Sequence, residues 1–166
     1  MAFVTFVLGG ARSGKSTRAL ELSEIRPRTF VATAEPLDAE MAERIALHQA
    51  ERGPDWGVIE APLEIASAID AHAQGTLLVD CLTLWLSNLM HHERDVEVET
   101  AKLAAALSHV KADVVLVSNE VGMAIAPENA LARRFRDAQG RLNQRVAAVA
   151  DRVELVAAGL PLRLKG

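Results

Sequence analysis

Short runs of β-branched and other apolar residues alternate along the chain with longer stretches in which apolar positions recur every three to four residues. FVTFVL (3–8), TFVAT (29–33), TLLVD (76–80), DVVLVS (113–118) and RVELVA (152–157) predict strands, apolar on both faces like those of a sheet covered on both sides. The stretches between them predict helices at 15–25, 38–52, 63–73, 82–92, 97–110 and 128–150. Strand and helix in turn build βαβ units, so the expected fold is α/β, a mostly parallel sheet with helices on both faces. VELVAAGLPLRLKG reads as a strand, a turn at Gly159 to Pro161 and a returning strand, which adds an antiparallel C-terminal edge. HHERDVEVE (91–99) is the most polar connection and the candidate mobile loop. No repeat, low-complexity stretch or boundary divides the chain, so residues 1–166 read as one domain.

Between the first strand and the first helix stands LGGARSGKST (8–17), in which Gly9, Gly14, Lys15 and Ser16 satisfy the phosphate-loop pattern G-x-x-x-x-G-K-[ST]. Glycines let the backbone take conformations forbidden to residues with a Cβ, so successive N–H groups turn inward around phosphate oxygens at a helix N-terminus. Gly9, Gly10, Ala11, Arg12, Ser13, Gly14, Lys15, Ser16 and Thr17 are therefore expected to surround a nucleotide. In that arrangement Lys15 neutralises the β- and γ-phosphates and the Ser16 hydroxyl ligates Mg²⁺. Such a loop also asks for a carboxylate at the end of another buried strand; Asp80 of TLLVD is the Mg²⁺ candidate, and the alternative is that it caps the next helix. The N-K-x-D signature of guanine-reading switch GTPases is missing from the sequence.

Composition narrows the partners. At 166 residues and 50% hydrophobic, the chain suits one domain with a substantial core. A formal net charge of -4 removes the global electrostatic case for nucleic acid or anionic membrane, and leaves small ligands. Cys81 is the one cysteine, so no internal disulfide forms, and the N-terminus lacks the pattern of a secretory signal. Apolar stretches fall short of the roughly 18 to 20 residues of a membrane span. The chain reads as cytoplasmic, without membrane insertion.

Other polar residues carry candidate chemistry. Asp38 is placed to cap a helix bearing Met41, Arg44, Ile45 and His48, and the spacing puts Arg44 and His48 one turn apart on one face. A neighbouring permanent cation favours the neutral, nucleophilic imidazole and also holds phosphate, which is the chemistry of a phosphoramidate intermediate; a surface histidine on a polar face is the other reading. Trp56 is either a core anchor or a stacking platform for a ring. Asn119 and Glu120 follow VVLVS at the carboxyl edge, where open α/β sheets bind ligands. Glu120 is suited to orient an attacking hydroxyl or water, or to reach Mg²⁺ through solvent; a helix cap or loop salt bridge is the alternative. Between Glu128 and Ala150 the cations form either a solvated face or a phosphate-binding set, with Arg136, Arg141 and Asn143 as the substrate or phosphate candidates. Cys81 reads as an inert small hydrophobe, and the adjacent His91 and His92 as a poor metal site.

GGARSGKST, VATAEPLDAEMAERIALHQAERGPDW, LLVDCLTLWLSNL and VLVSNEVGMAIAPENALARRFRDAQGRLNQRVAAVAD, in this order and at these separations, resemble the bifunctional adenosylcobinamide kinase / adenosylcobinamide-phosphate guanylyltransferase family of cobalamin biosynthesis. The resemblance covers essentially the whole chain. The phosphate loop is shared by many NTPases; the helix with R-I-x-x-H and the NEVGMAIAPEN and RDAQGRLNQ blocks are the specific parts. The resemblance implies a RecA-like P-loop fold and phosphorylation of the aminopropanol hydroxyl of adenosylcobinamide by GTP or ATP with Mg²⁺. It implies a second step in which GMP passes from GTP to adenosylcobinamide phosphate through a guanylylated histidine, and His48 matches that histidine. Arg44 would then stabilise charge on the α-phosphate, and Glu60 joins the nucleotide-binding positions. A homo-oligomer, a trimer with sites at subunit boundaries, is implied as well. Two other functions fit the same loop: a kinase of another small hydroxylated metabolite with a structural His48, and a GTP-dependent binding or switch module.

Overall fold

The computed structural model describes residues 2–166, apart from the side chains of Arg44, His48, Glu51 and Arg52. The elements run β1 (Val4–Gly9), α1 (Lys15–Leu22), β2 (Arg28–Ala32), α2 (Ala39–Arg52), β3 (Trp56–Glu60), α3 (Ile65–Ala71), β4 (Thr76–Asp80), α4 (Leu82–His91), α5 (Val96–Leu107), β5 (Asp113–Asn119), α6 (Ala130–Val149), β6 (Arg152–Ala157) and β7 (Leu160–Lys165). The strands form one seven-stranded sheet in the order β3-β2-β4-β5-β1-β6-β7. All neighbouring strands are parallel except β6 and β7.

Alternation along the central strands divides the core into two layers. Phe6, Leu77, Val79 and Leu116 point into the cluster covered by α3, α4, α5 and α6, whereas Val7, Leu78, Val115 and Val117 point into the cluster against α1. Successive residues of a strand face opposite sides, so an unbroken apolar run is what a sheet covered twice requires. Trp85 of α4 anchors the thicker layer at 1% exposure, and its Nε1–H donates to the Leu63 carbonyl at 2.8 Å, which removes the cost of burying a lone indole donor. Each fully buried leucine-sized side chain here contributes about 1.5–3 kcal/mol.

The expected strands and helices are all present, with four differences that have physical causes. β3 was not expected: it is an edge strand whose five residues are exposed or half-buried, so it lacks the apolar run of its covered neighbours. Trp56 sits at its start, under the Arg28 guanidinium at 4.9 Å, and packs at the margin of the α1-side cluster. α1 ends at Leu22, where Ser23 turns its hydroxyl back to the Ala19 carbonyl. The expected mobile loop is a short connection between α4 and α5 that is tied at several points. Arg94 N–H donates to the Leu89 carbonyl, the Arg94 guanidinium binds Glu64 and Glu99, and Asp95 caps α5. The final turn lies at Ala158 and Gly159, both at positive φ, and Pro161 falls inside β7 opposite Val156. Among the described residues no helix is long and apolar enough to cross a membrane.

Candidate active site

Gly14 precedes α1 at φ 95°, a left-handed backbone that a residue with a Cβ adopts only with strain. A Cβ there would also lie 3.1 Å from the Gly159 Cα, and Gly159 N–H donates to the Ser13 carbonyl at 2.8 Å. The C-terminal hairpin therefore braces the phosphate loop from outside. Within the loop, Lys15 Nζ donates to the Gly10 carbonyl at 3.0 Å. The Ser13 hydroxyl is buried among the loop atoms without a hydrogen-bond partner, an unmet polar group of the kind a bound oxygen satisfies. Ala11, Arg12 and Thr17 are exposed, and Gly9 is buried at the end of β1.

Strand order sets the rest of the site. β5 lies between β4 and β1, so the chain leaving β5 at Asn119 emerges between Asp80 and the phosphate loop. Asp80 is level with Val117 on β5, and Gly9 is level with Asn119. Glu120 N–H donates to the Gly9 carbonyl at 3.0 Å, which joins the two segments directly. One Glu120 carboxylate oxygen accepts from Gly122 N–H at 2.6 Å, so its side chain folds over its own loop and not onto a helix end. α4 begins after Cys81, which holds its N-cap position, so Asp80 stands one residue before the cap.

Side chains absent from the expectations hold this edge in place. Asn88, buried in α4, donates to the carbonyls of Thr33 at 2.6 Å and Pro62 at 3.0 Å, tying together the segments that leave β2 and β3. The Thr33 hydroxyl donates to the Cys81 carbonyl at 2.8 Å and accepts from Cys81 N–H at 2.9 Å. Thr83 accepts from Asn119 N–H at 2.9 Å. A polar residue inside the apolar stretch LTLWLSNLM is the one sequence signal that marks Asn88.

The remaining expected residues divide. Asp38 caps α2 as expected, accepting from Met41 N–H at 2.7 Å, and positions 44 and 48 lie one turn apart on that helix. The side chains of Arg44 and His48 are outside the described residues. Glu60 ends the edge strand β3, four strand spacings from β1, roughly 19 Å at about 4.8 Å each. Arg136 is paired to its neighbour Asp137 at 3.0 Å, and Arg141 to Glu97 of α5 at 3.3 Å. Asn143 is buried and turned toward the end of β5, its Oδ1 accepting from Ser118 and Gln139 and its Nδ2 donating to the Asn119 carbonyl. His92 pairs with Glu35 at 2.9 Å. Burial, then the neighbouring Asp80, pushes the Cys81 thiol up to about 11.

α6 reaches the end of β5 at Asn143 and enters β6 parallel to β1, so its earlier residues extend past the carboxyl edge of the sheet. There, with the end of α4 and the start of α5, it borders a groove of about 570 Å³. Met90, Val96 and Leu131 give that groove an apolar floor, and Arg94, Arg134 and Asp137 give it donors and acceptors. Among the described residues no group of three or more His, Cys, Asp and Glu could hold a metal. A hydroxyl and a carboxylate at Ser16 and Asp80, completed by phosphate and water oxygens, nevertheless suit Mg²⁺, which takes few protein ligands.

Residues 5–164 match the family model for cobinamide kinase / cobinamide phosphate guanyltransferase. The bifunctional adenosylcobalamin biosynthesis protein CobP of Pseudomonas aeruginosa is 42% identical, with 96% of each chain covered. CobU of Salmonella typhimurium, carrying the same bifunctional description, is 41% identical, with 96% of this chain and 98% of that protein covered. A solved structure from Pyrococcus horikoshii OT3 shares the fold at a TM-score of 0.53 and 10% identity, over 99% of this chain and 86% of that one. With residues 5–164 matched by the family model and two bifunctional relatives above 40% identical over nearly their full length, the chain belongs to the cobinamide kinase / cobinamide phosphate guanyltransferase family.

Proposed function

We propose that this protein phosphorylates the aminopropanol hydroxyl of adenosylcobinamide with GTP or ATP and then transfers GMP from GTP to the new phosphate. The products are adenosylcobinamide-GDP and pyrophosphate. The observation that carries the reading is the placement of β5, and with it Glu120, between the Asp80 strand and the phosphate loop. Family membership supplies the substrate.

In the first step the loop amides and Lys15 bind and orient the triphosphate, and Glu120 accepts the proton of the attacking hydroxyl as its oxygen bonds to the γ-phosphorus and the bond to the β-phosphate oxygen breaks. Mg²⁺ held by Ser16 and Asp80 supplies charge neutralisation at the phosphate oxygens when bound. In the second step a ring nitrogen of neutral His48 attacks the α-phosphorus of GTP, the P–N bond forms and pyrophosphate departs. An oxygen of the corrinoid phosphate then attacks the same phosphorus, and the P–N bond breaks. Arg44, one turn from His48, is assigned to the charge that develops on the α-phosphate.

The groove beside α6 suits the corrinoid, because neutral side-chain amides take both donors and acceptors and a methylated ring needs an apolar floor. Arg141 lines it, and Arg136 and Glu60 are assigned the outer reaches of the substrates. A homo-oligomer fits the edge strand β7, where Leu160, Leu162 and Leu164 are exposed. Incubation with adenosylcobinamide, Mg²⁺ and either nucleotide, followed by separation of the corrinoids, tests the reading. The phosphate ester and then the GDP derivative are expected; an unchanged corrinoid, with phosphoryl transfer to another alcohol, would favour the other kinase.

A further inference from the structure

The dipeptide Asn119-Glu120 stands where the sheet ladder ends, and it is held mostly by side chains. Asn119 N–H is taken by Thr83, Glu120 N–H by Gly9, and the Asn119 carbonyl by Asn143 Nδ2 at 3.1 Å. Behind Asn143 lies a buried chain of hydrogen bonds with one direction. Gln139 Nε2 donates to Ser118 Oγ and to Asn143 Oδ1, both at 2.9 Å, and Ser118 Oγ donates to Asn143 Oδ1 at 2.8 Å. Two donors converge on Asn143 Oδ1, so the amide cannot turn over, and its NH₂ must face the Asn119 carbonyl. Gln139 and Ser118 are fully buried, and Gln139 Oε1 has no partner. A helix that needed only to pack would place an aliphatic residue at that position and avoid the cost of an unpaired acceptor.

We propose that Asn143, with its amide orientation locked by Gln139 and Ser118, is a positioning residue that fixes the peptide between Asn119 and Glu120 and so sets where Glu120 leaves the end of β5 beside Gly9. The proposal rests on the function given to Glu120 above. Asn143 touches no reacting atom; it acts through the one carbonyl that precedes Glu120.

Steady-state kinetics of phosphoryl transfer to adenosylcobinamide, run on the full chain from pH 5.5 to 8.5, test it. Asn143→Leu removes the donor while keeping the number and branching of side-chain heavy atoms, and is expected to lower kcat on the order of 10- to 100-fold, with the nucleotide KM within about twofold. Asn143→Asp is expected to match that loss at pH 8 and to regain activity as pH falls, because its protonated carboxyl again donates to the Asn119 carbonyl. Wild type and Asn143→Leu show no such recovery. If Asn143→Leu fails to fold, the pH-dependent recovery of Asn143→Asp and the smaller kcat loss of Ser118→Ala carry the test. A folded Asn143→Leu with kcat within threefold of wild type, or an Asn143→Asp without acid recovery, overturns the inference. Absence of phosphoryl transfer by wild type refutes the function reading and this inference with it.

Discussion

Lys15 Nζ lies 3.0 Å from the Gly10 carbonyl, five residues earlier, and the hydrogen bond between them holds the ammonium over the loop whose amides precede it. Under the proposed function, a cation fixed there would meet the terminal phosphates without having to be drawn in from solvent. Lys15→Ala is expected to lower kcat for transfer of a labelled γ-phosphate on the order of 10²- to 10³-fold. Activity within tenfold of wild type would remove Lys15 from the kinase step.

The contact between Gly14 and Gly159 predicts a second effect. Gly14→Ala must hold a methyl group at φ 95°, which costs about 1–2 kcal/mol, and must push against the hairpin backbone 3.1 Å away. GTP affinity by calorimetry is expected to fall about tenfold or more with the circular dichroism spectrum unchanged. Unaltered affinity would show that the hairpin does not brace the loop.

What could be read from the sequence depended on how local each requirement was. The phosphate loop needs its glycines, lysine and hydroxyl within ten residues of one another, and Asp80 needs only to end an apolar run, so both stood out. β3 did not, because an edge strand is not buried on both faces and WGVIE follows Gly53 and Pro54 without an apolar run. The polar residues that brace the carboxyl edge were less visible still. Asn88 finds Thr33 across 55 positions and Asn143 finds Ser118 across 25. A polar residue on a long helix looks the same in sequence whether it turns outward to a substrate or inward to a strand, which is why Asn143 was expected at the substrate.

Acid stability should respond to Glu154. Its carboxylate is 2% exposed and takes a bidentate contact from Arg18, at 2.8 and 3.1 Å, which holds its pKa below the usual carboxylate range. A depressed folded-state value gives stability that is present above the unfolded value, near 4.5, and is lost as pH falls through the lower folded value. Calorimetry is expected to show Tm of wild type falling below that point and Glu154→Gln, less stable at pH 7, falling less steeply. Parallel curves would assign the acid sensitivity elsewhere.

Cys81 offers a chemical check on the same region. A thiol at about 11 is ionised to only about one part in a thousand at pH 8, and the side chain is buried. A disulfide reagent should leave the native protein unlabelled at pH 8 and react once denaturant is added. Rapid stoichiometric labelling of the native chain would mean that the segment after Asp80 opens readily.

The covalent step proposed at His48 is open to a direct test with GTP labelled at the α-phosphate. After incubation with Mg²⁺ and denaturation, protein-bound label is expected that is labile to acid, stable to alkali and absent from His48→Ala. No label under conditions where GTP demonstrably binds, or equal label on His48→Ala, would contradict it.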